Sequence, residues 1–167
     1  MTRLNAIDLL DDKRRHLKTI IDANCPYEAL QILAIDIEFM GRLIDRINPA
    51  VSAPWSVNRK EASFENVCTH MDSMKKYNAK ILQDQLRNGL VHQGVPKNSL
   101  WLTDVATQKL DSDSYTIINI HTIFTDFSSA CDELIALLQT YNKNYPNALD
   151  SDPKFPHLTI RNINEIR

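Results

Sequence analysis

Glycine is nearly absent from this chain, with three in 167 residues, which leaves few places where the backbone adopts positive φ or admits a second segment at close range. Two of the three fall in one stretch, Leu86-Arg87-Asn88-Gly89-Leu90-Val91-His92-Gln93-Gly94, so an unusual backbone is expected there. Cysteine is equally sparse. Cys25, Cys68 and Cys131 are odd in number, far apart and without a Cys-x-x-Cys pair, which excludes a disulfide scaffold and a zinc site of the usual spacing and points to a reducing compartment. No apolar run approaches the roughly 20 residues that cross a bilayer. Residues 1–12 carry acids too early for a secretory hydrophobic segment, so a cytoplasmic protein without a membrane partner is expected. A net charge of −2 excludes the broad basic surface that holds long nucleic acid without sequence preference. Walker loops, dinucleotide-binding glycine patterns and Ser/His/Asp orderings are missing as well, so no cofactor is expected.

What remains is ordinary for one globular domain: 43% hydrophobic and 24% charged residues. Leu4, Ile7, Leu10, Leu17 and Ile21 recur at helical spacing and predict an amphipathic helix over 3–22. Pro26, following Asn24 as N-cap, opens a second and more apolar helix that runs to about Asn48, where Pro49 stops it. After a Pro- and Ser-containing loop over 49–58, Asn58-Arg59-Lys60-Glu61 resembles a capping box. Phe64, Val67, Met71, Met74, Ile81, Leu82, Leu86 and Leu90 then keep helical spacing. One long helix, or two in tandem with a fresh start near Thr69-His70-Met71-Asp72, both fit, and Pro96 ends the run.

Leu100–Val105 and Tyr115–Ile120 are rich in β-branched and aromatic residues, and Asp111-Ser112-Asp113-Ser114 between them is turn chemistry, so a β-hairpin is predicted over 100–121. Thr122 as N-cap and the series Ile123, Phe127, Cys131, Leu134, Leu138 and Tyr141 mark a last long helix. Pro146, Pro153 and Pro156 make 146–167 an extended tail. The predicted fold is all-α: an up-and-down helical bundle over 1–145 with the hairpin inserted before the last helix. Architecture alone says nothing about function.

The chemistry lies in Arg87-Asn88-x-x-x-His92. Metal-independent RNA cleavage needs a base for the 2′-hydroxyl, a cation for the charge that grows on the phosphate oxygens, and an acid for the leaving 5′-oxygen. Histidine serves as base or acid near neutral pH, arginine is a permanently charged two-pronged phosphate donor, and asparagine orients by hydrogen bonding. On an ideal α-helix Arg87 and His92, five apart, differ by about 140°, so Gly89 is expected to end or bend the helix between them. The plain alternative is a helix C-terminus in which Arg and His meet the negative dipole end and Gly94 supplies the C′ residue.

The segment resembles the HEPN domains (higher eukaryote and prokaryote nucleotide-binding), whose signature is Arg, four to six residues, then His, with a polar residue next to the Arg; Arg87, Asn88 and His92 match it position by position. With nine Arg, fourteen Asn and five His, chance produces this tight form about 0.02 times. Arg161-Asn162 repeats the dipeptide with no following His. The resemblance implies a helical bundle, a homodimer whose two motifs meet at the interface, and an endoribonuclease acting on RNA in toxin–antitoxin, antiviral or CRISPR-associated systems, with an antitoxin or regulator as a further partner. The branch with Tyr two residues after the His is not matched, since that position is Gly94. A non-catalytic HEPN-like binding or dimerisation module is the other reading.

Asp36 is the remaining candidate. On the second helix Gln31, Glu38, Arg42, Asp45 and Arg46 share one side, while Asp36 lies alone among apolar residues, where a carboxylate must be paired or functional. It is either a structural salt bridge or interface group, or, as the resemblance implies, the acidic helper of the Arg and His. Cys68 with His70, Asp111 with Asp113, Trp55 and Trp101, and His16, His121 and His157 are assigned structural or surface roles, because none has metal spacing, a basic setting or a catalytic neighbour.

Overall fold

The computed structural model describes residues 4–47, 59–93, 100–103, 111–112, 115–144 and 158–159. The described chain is a helical bundle. After the two-residue strand β1 (Leu4–Asn5), helix α1 spans Ala6–Asp22, and it starts where it does because Asn5 Oδ1 accepts the Ile7 amide at 3.0 Å. It ends in a left-handed cap. Asn24 has φ 58°, its amide bonds Ile21 O at 2.9 Å, and the Cys25 amide bonds Ile20 O at 3.2 Å, which is the double closure of a Schellman turn. Asn24 thus closes α1 rather than capping the next helix, a role its short side chain tolerates at positive φ.

Helix α2 (Pro26–Ile47) opens on proline at its first position and lies at the centre, packed against α1 and against the later helices. Leu30, Leu33, Ala34, Ile37, Met40 and Leu43 are completely buried. Its crossing with α3 (Arg59–His70) depends on Gly41. A β-carbon at Gly41 would lie 1.9 Å from Ser63 O, and the Gly41 carbonyl accepts from Asn66 Nδ2 at 3.3 Å. Only a residue without a side chain permits that approach.

The run over 59–93 is two helices in tandem, α3 and one that restarts at Ala79. Met71 is extended, one 3-10 turn covers Asp72–Met74, and Asn78 caps the restart by accepting from Lys80 N at 3.0 Å and Ile81 N at 3.2 Å. The break therefore precedes Asn78 rather than restarting at Thr69–Asp72. Its amides are taken by the last helix: Glu133 accepts from Asp72 N at 2.5 Å and Ser73 N at 3.1 Å. The restarted helix has three parts, α4 (Ala79–Ile81), a wide π-helical segment (Leu82–Arg87) and α5 (Asn88–Gln93).

The 100–121 region differs from the expected hairpin. Strand β2 (Leu100–Thr103) pairs parallel with β4 (Tyr115–Asn119), in register from Leu100↔Thr116 to Thr103↔Asn119, while the short β3 (Asp111–Ser112) pairs antiparallel with the start of β4. Asp111 and Ser112, expected as turn residues, form β3 itself, and Asp113 and Ser114 lie outside the described residues. β2 takes the other edge, in the direction that a longer connection allows. Helix α6 (Ile120–Asn144) comes next, capped by Asn119, whose Oδ1 accepts the Thr122 amide at 2.9 Å, and not by Thr122 itself. It is tied to α1 by Arg14–Asp132 at 2.7 Å and to the segment before α4 by Tyr77–Asp126 at 2.5 Å. Strand β5 (Leu158–Thr159), inside the stretch expected as an extended tail, pairs parallel with β1; the rest of 146–167, like Trp55 and Gly94, lies outside the described residues. Among the described residues no helix is long and apolar enough to cross a membrane.

Alanine is the better helix former by about 1 kcal/mol on an exposed helix. Gly41→Ala should nevertheless destabilise by about 1–3 kcal/mol, because the added methyl meets backbone. Urea denaturation measures the sign, and a gain in stability would show that the α2–α3 crossing is looser than the structure has it.

Candidate functional site

The site forms where the polar stripe of α2 faces the restarted helix. Gln31 Nε2 donates to Leu90 O at 2.9 Å and fixes the backbone of α5 against α2. Two turns further along α2, the buried Glu38 meets Arg87. Arg87 is the last residue of the wide segment, in which the Asn88 amide reaches Gln83 O, five residues back. Such a turn accommodates one extra residue, which rotates the downstream helix by about 100° relative to the upstream part, and it recurs at functional sites. Gly89 is buried within α5, and the helix continues through it. The expected irregularity therefore lies a turn upstream of the glycine.

Arg87 Nε donates to Glu38 Oε2 at 3.2 Å, and Nη1 is shared between Asn88 Oδ1 at 3.2 Å and His92 Nε2 at 2.9 Å. The three motif residues thus meet, although an ideal helix sets Arg87 and His92 on different faces. The length of the arginine side chain spans the difference. A guanidinium has only donors, so the Asn88 amide oxygen accepts from it, and the contact with His92 is a hydrogen bond in the tautomer that leaves the Nε2 lone pair free. Arg87 is sheltered, with 12% of its side chain exposed, while His92 is exposed. The cluster accordingly has a buried acidic back and an open imidazole front. It combines a permanent cation, a base and an orienting amide in one place.

Asp36 is not brought to this cluster. It lies two residues before Glu38, about 200° around the helix, and its carboxylate, 3% exposed, forms a salt bridge with Lys13 of α1. The Lys13 ammonium also lies over the Phe39 ring, 5.0 Å from its centroid. Of the two roles expected for Asp36, the salt bridge is the one the structure displays, and the carboxylate beside the Arg and His is Glu38. Glu38 was readable as part of a polar stripe, Gln31, Glu38 and Arg42, at seven- and four-residue steps. That stripe looks like a solvated face until a partner helix covers it.

Burial pushes the Asp36 carboxyl above its ordinary value, against the opposing pull of the Lys13 hydrogen bond and charge and of His16. One oxygen, Oδ2, is buried without a hydrogen bond. Burial likewise raises the Cys68 thiol to about 11 and, outweighing the nearby Arg14 charge, the Cys131 thiol to about 12, which disfavours the reactive thiolate at both. Among the described residues no three His, Cys, Asp or Glu side chains are grouped to hold a metal ion.

Since the native state binds the Asp36 proton more tightly than the unfolded chain, its contribution to stability falls as pH rises from the ordinary 3.8 to the raised native value. The stability of the wild type minus that of Asp36→Asn should therefore decline across that window in urea titrations, and a rise would contradict the burial argument. The two cations on Glu38 give a second contrast. Glu38→Ala leaves Arg87 sheltered without its counter-charge and should cost about 3 kcal/mol or more. Arg42→Ala, removing a side chain 54% exposed, should cost less than about 1 kcal/mol. Equal losses in thermal or urea unfolding would show that Arg87 is not held by this ion pair. The chain matches no family model, no curated protein and no solved structure, so the reading of the site rests on its own geometry.

Proposed function

We propose that the chain is a metal-independent endoribonuclease of the HEPN type, a cytoplasmic homodimer that cleaves RNA in a toxin–antitoxin or antiviral setting and is held in check by an antitoxin or regulator. The observation that carries this reading is the 2.9 Å contact between Arg87 Nη1 and His92 Nε2, at the spacing of the motif and at the open edge of the cluster.

In the proposed reaction His92 Nε2 takes the proton of the ribose 2′-hydroxyl. The 2′-oxygen attacks phosphorus, the O2′–P bond forms, and the P–O5′ bond breaks. The products are a 2′,3′-cyclic phosphate and a 5′-hydroxyl, the latter taking its proton from a second histidine, that of the dimer partner, which acts as the imidazolium once phosphate has displaced it from its arginine. Arg87 neutralises the charge developing on the non-bridging oxygens, the type of term that contributes most in such sites. Asn88 and Glu38 keep the guanidinium aimed, with Glu38 as a positioning residue. The alternative is a non-catalytic binding or dimerisation module in a defence complex. It is favoured by the same Glu38–Arg87 ion pair, since an arginine already engaged inside the fold also serves to hold an interface.

Incubating the purified protein with end-labelled RNA in EDTA separates the two. The enzyme should produce cyclic-phosphate ends, and His92→Ala and Arg87→Ala should each slow cleavage by about 100-fold or more. Cleavage that survives unchanged in His92→Ala, or none from the wild-type dimer, would leave the binding module as the better account.

A further inference from the structure

The carboxylate behind the motif serves two arginines. Arg87 bonds Glu38 Oε2 at 3.2 Å, and Arg42, one turn further along α2, bonds Oε1. The other two partners of Arg87, the Asn88 amide and the His92 ring, supply no negative charge. Among the described residues no second carboxylate is bonded to either guanidinium. One negative charge, on a residue 7% exposed, therefore faces two positive ones, and one positive charge is left over at the mouth of a partly dehydrated cluster. Such an excess is a standing attraction for an anion.

The two arginines present that charge differently. Arg87 is sheltered and has Nε and Nη1 engaged, whereas Arg42 is 54% exposed. A guanidinium carries five donors in a plane, so each can keep its bond to Glu38 and still offer N–H groups to a ligand. The shared carboxylate also holds the two forks at a set separation. A ligand with one anionic group needs only one of them, while a ligand with repeated anionic groups on one strand uses both.

We infer that Arg42 is a second phosphate-binding residue of this site, taking the RNA phosphate next to the one held by Arg87. The identity of the polymer rests on the ribonuclease reading above, whereas the excess charge does not. Arg42 touches the substrate strand away from the reacting atoms. Its contribution is expected in affinity and in salt dependence rather than in the chemical step.

The test uses a single-stranded oligonucleotide with 2′-O-methyl riboses, which binds but has no nucleophile, followed by fluorescence anisotropy from low to moderate salt. Wild type, Arg42→Ala and Arg42→Lys are compared after thermal unfolding shows that all three are folded. Arg42→Ala should weaken binding about three- to fivefold, the scale of one partly exposed ion pair. It should also reduce the slope of log affinity against log salt by about 0.7, the single-strand value for one phosphate contact. Arg42→Lys should recover the slope but only part of the affinity, because the point charge survives and the fork does not. In cleavage assays Arg42→Ala should raise KM by more than it lowers kcat. An unchanged salt slope, or a fall in kcat with KM unmoved, would overturn the inference and leave Arg42 as a support for Glu38. A changed slope from a protein that never cleaves RNA would keep Arg42 as an anion contact and remove the ribonuclease reading; cleavage indifferent to Arg42 would do the reverse.

Discussion

A single carboxylate, Glu38, organises the cluster of Arg42, Arg87, Asn88 and His92. Burying an ionised carboxylate costs several kcal/mol unless charge and hydrogen bonds answer it, and Glu38, 7% exposed, is answered on both oxygens by guanidiniums. The ion pair with Arg87 does what a hydrophobic contact between α2 and the π segment would not. It fixes the direction of a long, flexible side chain and thereby the place of the two groups that side chain touches. Asn88 and His92 converge because Arg87 is held from behind. A site whose supporting contact is itself buried keeps its geometry without substrate, which is the sense in which the cluster is preorganised.

Helix α2 carries two buried acids, and comparing them shows why one is part of a site and the other is not. Asp36 and Glu38 project in nearly opposite directions. Asp36 meets one cation, Lys13, in the α1–α2 contact, and its second oxygen is left without a partner. That pair is one cation to one carboxylate, so no net positive charge remains to attract an anion, and the burial of the acid shows in its raised proton affinity. Glu38 meets two cations and is over-supplied, with an exposed imidazole at the edge of the cluster. A surplus of donors beside an open face recruits a ligand, whereas a surplus of acceptors in the interior does not. The apolar burial along the rest of α2, from Leu30 to Leu43, is what lets one helix tolerate both acids.

Much of this arrangement was readable from residues close together in the chain. Periodicity marked α1, α2 and α6 to within a few residues, because amphipathic spacing and caps are set within one or two turns. The Arg87, Asn88 and His92 set was marked for the same reason, as its chemistry is local. What the local sequence leaves open is decided by contacts that it does not display. Asn24 offers capping chemistry to either helix beside it, and the left-handed backbone that decides for α1 comes from the sharp reversal into α2. Asp36 stood out because it was alone on an apolar face, yet the carboxylate at the site was on the face that looked solvated. A helical wheel shows which residues share a face and not which helix will cover it. The β-rich segments at 100–103 and 115–119 pair as their composition suggests, but direction is settled by the connection and by the competing short strand, neither of which a propensity describes.

The contact between guanidinium and imidazole also bears on how the resting cluster would pass into a working one. With Nε2 accepting from Arg87, the ring stands as the base that the proposed reaction requires, and placing a proton on Nε2 would set two donors against each other. The same contact occupies the lone pair, so the base is ready but covered. An entering phosphate offers Arg87 a charged acceptor, and charge-assisted bonds to an anion are stronger than those to a neutral nitrogen. In the proposed reaction the guanidinium would exchange His92 for phosphate while Glu38 keeps Nε in place, uncovering Nε2 for the 2′-hydroxyl. On this argument the pairing of arginine and histidine is a resting state that the substrate itself dissolves, and the acid behind the arginine limits how far the guanidinium moves when it does.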